Sequence, residues 1–171
     1  MGVGAGRIQA FALTSMLIRV IAVGSRTPSW VRENCAEYAT RLRGRLRVEL
    51  VELSAGVRRG QKNAQRAMRE EGLRLLAHLT PEEFVVALDE HGKEFATREF
   101  AAWLAVRQSS GGDLAFLIGG ADGIDGPVLD RADLKLSLSR LTLPHALARV
   151  LLMEQLYRAQ SLLDHHPYHR E

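Results

Sequence analysis

The sequence has a single cysteine, Cys35, among 171 residues. That excludes an internal disulfide framework and a multi-cysteine zinc site, and it fits a reducing compartment such as the cytoplasm. No run of 18 or more apolar residues occurs, so no membrane-spanning helix is expected. Neither charge sign dominates: 23 basic and 20 acidic side chains leave a net charge of +3, which permits a phosphate-rich partner without demanding one. No G-x-x-x-x-G-K-[ST] phosphate loop, no G-x-G-x-x-G after the first strand and no H-E-x-x-H helix occurs. No Ser-His-Asp arrangement stands out from spacing. Low-complexity linkers, internal repeats and domain boundaries are also missing. What remains is 46% hydrophobic and 25% charged, the balance of one ordinary globular domain.

Strand and helix signals alternate along the chain. Residues 1–15 are rich in Gly and Ala and carry only Arg7, too little for the basic region of a signal peptide. They read as a flexible N-terminal extension, with Met16 a candidate start and residues 16–171 the single domain. Strands are expected at 17–23, 48–53, 84–88, 113–118 and 134–138. Helices are expected from Pro28 to about Leu42 with Thr27 as N-cap, and over 63–79, 97–108, 127–132 and 144–163. Such alternation predicts an α/β fold, a parallel sheet flanked by helices.

Ligands of open parallel sheets lie beyond the carboxyl ends of the strands. Three ends stand out: Leu88-Asp89, Ile118-Gly119-Gly120 and the stretch from Leu138 to Pro144. The glycine pair is either a tight turn or a place where backbone approaches a ligand closely. Asp122 and Asp125 beside it disfavour a polyphosphate and suit a neutral or cationic ligand. The stretch Leu138-Ser139-Arg140-Leu141-Thr142-Leu143 is either the approach to a helix, with Thr142 as cap, or a backbone-lined slot able to read an adenine edge. Glu154 and Arg158 form a plain i,i+4 ion pair if exposed, and a functional carboxylate if Glu154 is buried. His165, His166 and His169 lack the surroundings of a metal site, so no metal is expected. The terminal Tyr168, His169 and Arg170 offer a ring, an imidazole and a fixed cation, a set suited to a nucleotide, or else form a solvated tail. Arginines at 41–47 and basic residues at 58–69 either track RNA or cover a solvated face. Cys35 reads as a small buried hydrophobe.

Taken together, VIAVG at 20–24, Ala55-Gly56 with its basic loop, Ala87-Leu88-Asp89, FLIGGADG at 116–123, LSRLTLPH at 138–145 and HPYHRE at 166–171 resemble the ribosomal RNA large subunit methyltransferase H family of the SPOUT superfamily. The resemblance covers about residues 16–171. It implies an α/β knot fold with a C-terminal trefoil knot, a homodimer, and transfer of a methyl group from S-adenosylmethionine to N3 of a pseudouridine in large-subunit (23S) ribosomal RNA. By the family's pattern the cofactor falls on Leu88, Gly120 and Leu138, Ser139, Arg140, Leu141, Thr142 and Leu143.

The methyl donor is a sulfonium cation, so transfer needs mainly alignment and loss of the N3 proton. The expected catalytic residues are His169 as proton acceptor, Arg170 for developing charge or a phosphate, Tyr168 to stack on the base, and Glu154 as a second candidate base. In the dimer, the tail of one subunit is expected to complete the site of the other. The target is expected to be presented by the assembled ribosome. Two other readings stay open: a non-catalytic RNA-binding ribosome-assembly protein, which would ignore S-adenosylmethionine, and a small-molecule enzyme such as a nucleotide hydrolase, which would act without RNA.

Overall fold

The computed structural model describes residues 15–44, 46–58, 61–166 and 168. Ten elements follow in strict alternation: β1 (Met16–Val23), α1 (Ser29–Arg41), β2 (Leu46–Leu53), α2 (Gln61–Ala77), β3 (Phe84–Glu94), α3 (Thr97–Ser110), β4 (Leu114–Ile118), α4 (Gly126–Arg131), β5 (Leu134–Ser137) and α5 (His145–Leu163). The five strands form one parallel sheet in the order β2-β1-β4-β3-β5.

The period of two in the strands sorts the core into two layers. Ile18, Val20 and Ala22 of β1, with Leu114, Phe116 and Ile118 of β4, face α1, α3 and α5. Their neighbours Ile21, Val23, Ala115 and Leu117 face α2 and α4. Central strands covered on both faces must be apolar throughout, and all five residues of β4 are buried. Helix α5 packs between α1 and α3 and buries Leu152, Met153, Leu156 and Ala159.

Chain direction follows from the same layers. The leftward steps β1 to β2 and β3 to β4 use α1 and α3 on one face; the rightward steps β2 to β3 and β4 to β5 use α2 and α4 on the other. All four crossovers therefore share one hand. The paths leaving β1 and β4 part to opposite faces, which opens a crevice at the carboxyl ends of these two neighbours.

Three expectations need correction. β3 does not stop near Leu88 but runs to Glu94. Its pairing with β5 shifts register between Leu88 and Lys93, and a Cβ on Gly92 would lie 2.6 Å from the Lys135 backbone. Leu88 and Lys93 both face Leu136, so residues 89–92 form an irregularity in the ladder and only Lys93 and Glu94 of the polar run DEHGKE pair again with β5. Thr27 does not cap α1: Pro28 holds the cap position, and the Thr27 hydroxyl turns to the Gly24 carbonyl and the Glu52 carboxylate. Thr142 likewise does not cap α5, which begins after Pro144. No described helix is long and apolar enough to cross a membrane.

Candidate active site

The carboxyl ends of β4 and β5 and the 88–90 stretch of β3, where its pairing with β5 shifts register, surround a cleft of about 150 Å³. Leu88, Gly120, Leu138 and Ser139 line it, together with Leu141, Thr142 and Leu143. Of the eight residues expected to hold a cofactor, seven meet here. Arg140 does not: its side chain is 88% exposed and its Nε donates to both Glu94 carboxylate oxygens at 3.2 Å.

Gly120 is dictated by packing. A Cβ there would lie 2.6 Å from Glu71 Oε2 and 2.9 Å from Arg58 Nη2. Behind the turn, Arg58 Nη1 and Nη2 donate to the two Glu71 oxygens at 2.7 and 2.9 Å, and Glu71 Oε1 also accepts from the Gly56 amide at 2.7 Å. Arg58 Nε reaches Asp122 at 2.7 Å, so one guanidinium ties the 54–58 turn to the glycine loop. Both carboxylates push the Arg58 pKa up, Glu71 first, so the cation is permanent. Asp122 is thereby spent on Arg58. Asp89 and Glu90 supply the negative groups on the cleft wall instead.

The 138–143 segment is only partly self-satisfied. Ser137 Oγ donates to the Ser139 carbonyl at 3.0 Å and the Leu141 amide donates to Ser139 Oγ at 3.0 Å. Thr142 and Leu143 make no hydrogen bond among the described residues, so their amides and carbonyls stay open to a ligand edge. Leu138 and Leu143 add apolar surface beside them. Open backbone groups, apolar walls and carboxylates fit a purine nucleoside carrying a cation, and thus fit S-adenosylmethionine.

The other expected residues lie elsewhere. Arg158 Nε donates to Glu154 Oε1 at 2.7 Å within α5, as the i,i+4 spacing suggests, and Gln155 Nε2 donates to Glu154 Oε2 at 2.6 Å. Tyr168 Oη donates to Glu154 Oε1 at 3.4 Å, its ring stands edge-on to Tyr157 at 4.6 Å, and the Arg158 guanidinium covers it at 4.9 Å. Hydrogen bonding to Tyr38, then burial, raises the Tyr168 pKa, so the phenol stays neutral and donating. His169 and Arg170 lie outside the described residues, as do residues 1–14. Of the arginines considered for RNA, Arg41 pairs with Glu37, Arg47 with Glu49 and Arg66 with Glu70.

Sequence reasoning missed His145 and Arg149. His145 lines the cleft from the first turn of α5. Its pKa is lowered, by partial burial first and then by the Arg149 and Arg58 cations, so the imidazole is neutral near pH 7. Arg149, 1% exposed, donates to Thr27 Oγ1, to Glu52 Oε1 at 2.8 Å and to the carbonyls of Val23 at 2.7 Å and Gly24 at 2.9 Å. Gly24, at φ +112°, leaves room for it: a Cβ would lie 3.1 Å from Arg149 Nη2.

Comparison with known proteins places the chain among methyltransferases. A family model described as a predicted SPOUT methyltransferase matches residues 16–169. A protein of Saccharophagus degradans named ribosomal RNA large subunit methyltransferase H is 49% identical over 155 residues, covering 91% of this chain and 100% of that protein. Proteins of the same name from Cupriavidus taiwanensis and Burkholderia thailandensis are each 46% identical, covering 91% of this chain and 99% of theirs. The solved structure of a probable methylase family protein from Haemophilus influenzae Rd KW20 superposes with a TM-score of 0.50 at 14% identity, over 86% of this chain and 66% of that one, a likeness of fold alone.

Proposed function

Because this chain belongs to the SPOUT methyltransferase family, we propose that it methylates large-subunit ribosomal RNA, with S-adenosylmethionine as donor and N3 of a pseudouridine as acceptor. The observation that carries this reading is the convergence of Leu88, Gly120 and the 138–143 backbone on one cleft with acidic walls.

S-adenosylmethionine supplies an electrophilic methyl group when bound. The chain's own residues do the rest. Leu88, Leu138 and Leu143 offer an apolar wall, and the open backbone of Thr142 and Leu143 offers an edge to read an adenine. Asp89 and Glu90 favour a cation over a neutral analogue. The C-terminal residues complete the site: His169 takes the N3 proton, Arg170 balances the charge left behind, and Tyr168 orients the base. Glu154, already accepting from Arg158 and Tyr168, positions the tyrosine.

Geometry supports a site shared between two copies. His145 lines the donor cleft, whereas Tyr157, on which Tyr168 rests, lies roughly 18 Å further along α5 at 1.5 Å per residue. Tyr168, resting on Tyr157 of its own helix, therefore lies far from its own cleft. The dimer, the threading of the 138–145 segment into a knot, action in the cytoplasm and the assembled ribosome as substrate all belong to this proposal.

The test is transfer of labelled methyl from S-adenosylmethionine to ribosomes, large subunits and free RNA, side by side. Label should enter the RNA of the assembled particles. No transfer to any of the three, with no binding of the donor, would overturn the reading. Deleting residues 168–171 should abolish transfer while leaving donor affinity within about twofold. Mixing that protein with a copy whose donor cleft is disabled should restore activity if the tail acts across the dimer.

A further inference from the structure

On the far side of His145 lies a second cleft, of about 590 Å³, which the reading above does not use. It sits at the carboxyl ends of β1 and β2, between the 24–28 turn, the 54–57 turn and the first turn of α5. We propose that this cleft receives the target nucleotide of the RNA substrate, with the ribose-phosphate backbone held at its rim and the base turned toward His145. The proposal rests on the function given above and deepens it by naming where the acceptor lies.

Position is the first argument. His145 belongs to the walls of both clefts. It stands where β1 and β4 part, the crevice in which parallel sheets bind ligands. A donor on one side and an acceptor on the other meet at this residue. Transfer requires reacting atoms within about 3–3.5 Å of each other, so adjacent clefts with a common wall are the arrangement needed.

Charge is the second and independent argument. The donor cleft carries Asp89 and Glu90. Among the described residues, none lining the second cleft is acidic, while Arg26 and Arg149 are basic. Arg149 has one carboxylate partner, Glu52, and its Nε is buried without a hydrogen-bond partner. Arg32 stands just behind, donating to the Thr27 carbonyl. Arg26 is exposed at the rim and makes no hydrogen bond or ion pair among the described residues. Two guanidiniums and, among the described residues, no carboxylate on its walls give this cleft a positive field, opposite in sign to its neighbour's. An acidic cleft suits a sulfonium and a basic one suits a polyanion.

Rigidity is the third. The four hydrogen bonds of Arg149 lock the ends of β1 and β2 to α5, so the floor is built before any ligand arrives. The lowered pKa of His145 keeps a neutral ring at the junction, able to donate and accept toward a uracil edge rather than repel the donor.

Two variants test this. Ala55→Trp places a large side chain at the exposed mouth, and Arg26→Gln removes the rim charge without altering any packed residue. Donor affinity is read by calorimetry with S-adenosylmethionine, and kcat/KM by methyl transfer to ribosomal particles over a range of salt. Both variants should bind the donor within twofold of wild type. Ala55→Trp should lower kcat/KM at least tenfold. Arg26→Gln should raise KM severalfold and flatten the plot of log kcat/KM against log salt by about 0.7–0.9, the loss of one phosphate contact. Because Arg26 is exposed, that second variant stands even if the first does not fold. Wild-type activity and an unchanged salt slope in Arg26→Gln overturn the proposal, as does a loss of donor binding in Ala55→Trp that accounts for its loss of activity. If the wild type transfers no methyl to RNA, the function itself fails and this assignment with it. An active wild type beside an equally active Arg26→Gln fails the assignment alone.

Discussion

The two edges of the sheet use the same chemistry to opposite ends. At the amino edge, Arg19 donates to Glu83 at 2.5 and 2.6 Å, Glu83 accepts from the Thr80 amide at 2.8 Å, and Arg19 also donates to the His78 carbonyl. Asp113 accepts from the Leu17 amide and Asp133 from the Val85 amide. These carboxylates cap backbone donors at the starts of strands. At the carboxyl edge an equally buried pair, Arg58–Glu71, backs a turn that faces open space; the Glu71 and Glu83 side chains are 2% and 4% exposed. Burial of an Arg–Glu pair is therefore no sign of function in itself. Each glutamate also accepts one backbone amide, so what distinguishes the two is the neighbour: the Thr80 turn ahead of β3 in one case, the glycine turn beside the cleft in the other.

Removing either carboxylate breaks this symmetry. Glu71→Gln and Glu83→Gln should each cost about 2–3 kcal/mol in denaturant unfolding, because each removes the buried carboxylate from a partly buried guanidinium, although Arg58 keeps the more exposed Asp122. Only Glu71→Gln should also weaken S-adenosylmethionine, by tenfold or more, since Gly120 rests on the Glu71 carboxylate. Equal donor affinity in the two variants would show that the ion pair behind the cleft is mere structure.

Acid titration sharpens the contrast at the amino edge. Burial alone would raise the Glu83 pKa, but the Arg19 and Thr80 hydrogen bonds outweigh it and hold the carboxyl below its usual range. A folded pKa below the unfolded one gives stability that is complete above the unfolded value, about 4.3, and lost as pH falls through the folded one. Wild type should therefore lose more stability than Glu83→Gln between about pH 5 and pH 3. Parallel urea midpoints over that range would remove Glu83 from the acid response.

How much of this was legible in the chain depends on whether a feature is periodic. β1 and β4 announce themselves because strands covered on both faces must be apolar, and a GG turn after Ile118 marks a strand end whatever the fold. The cleft proposed for the donor follows from the rule that ligands sit beyond such ends, and the family resemblance points to the same residues. β3 beyond Leu88 was illegible because the strand resumes, after the irregular 89–92 stretch, only where Lys93 and Glu94 pair with β5, a partner more than forty positions away. Arg149 could not be found for the same reason. It sits on an apolar helix, where it reads as one polar position, and its partners Glu52 and Val23 are 97 and 126 residues distant. Thr27, next to a proline at a helix start, is locally an ideal cap; a buried arginine and a carboxylate compete for its hydroxyl and win.

The smallest expected effect bears on how the donor is held. Arg140 belongs to the cofactor stretch by resemblance, yet its guanidinium leaves the cleft for Glu94 and is mostly solvated. An exposed pair of this kind contributes about 0–1 kcal/mol. Arg140→Ala should then change S-adenosylmethionine affinity less than about threefold and stability by less than about 1 kcal/mol. Leu138, by contrast, lines the cleft with its side chain partly buried, so Leu138→Ala should weaken the donor more than Arg140→Ala does. The reverse order would mean that the 138–143 segment binds through charge at its surface. The expected order means that it binds through its backbone and its leucines, and that the arginine serves only to fasten the loop to β3.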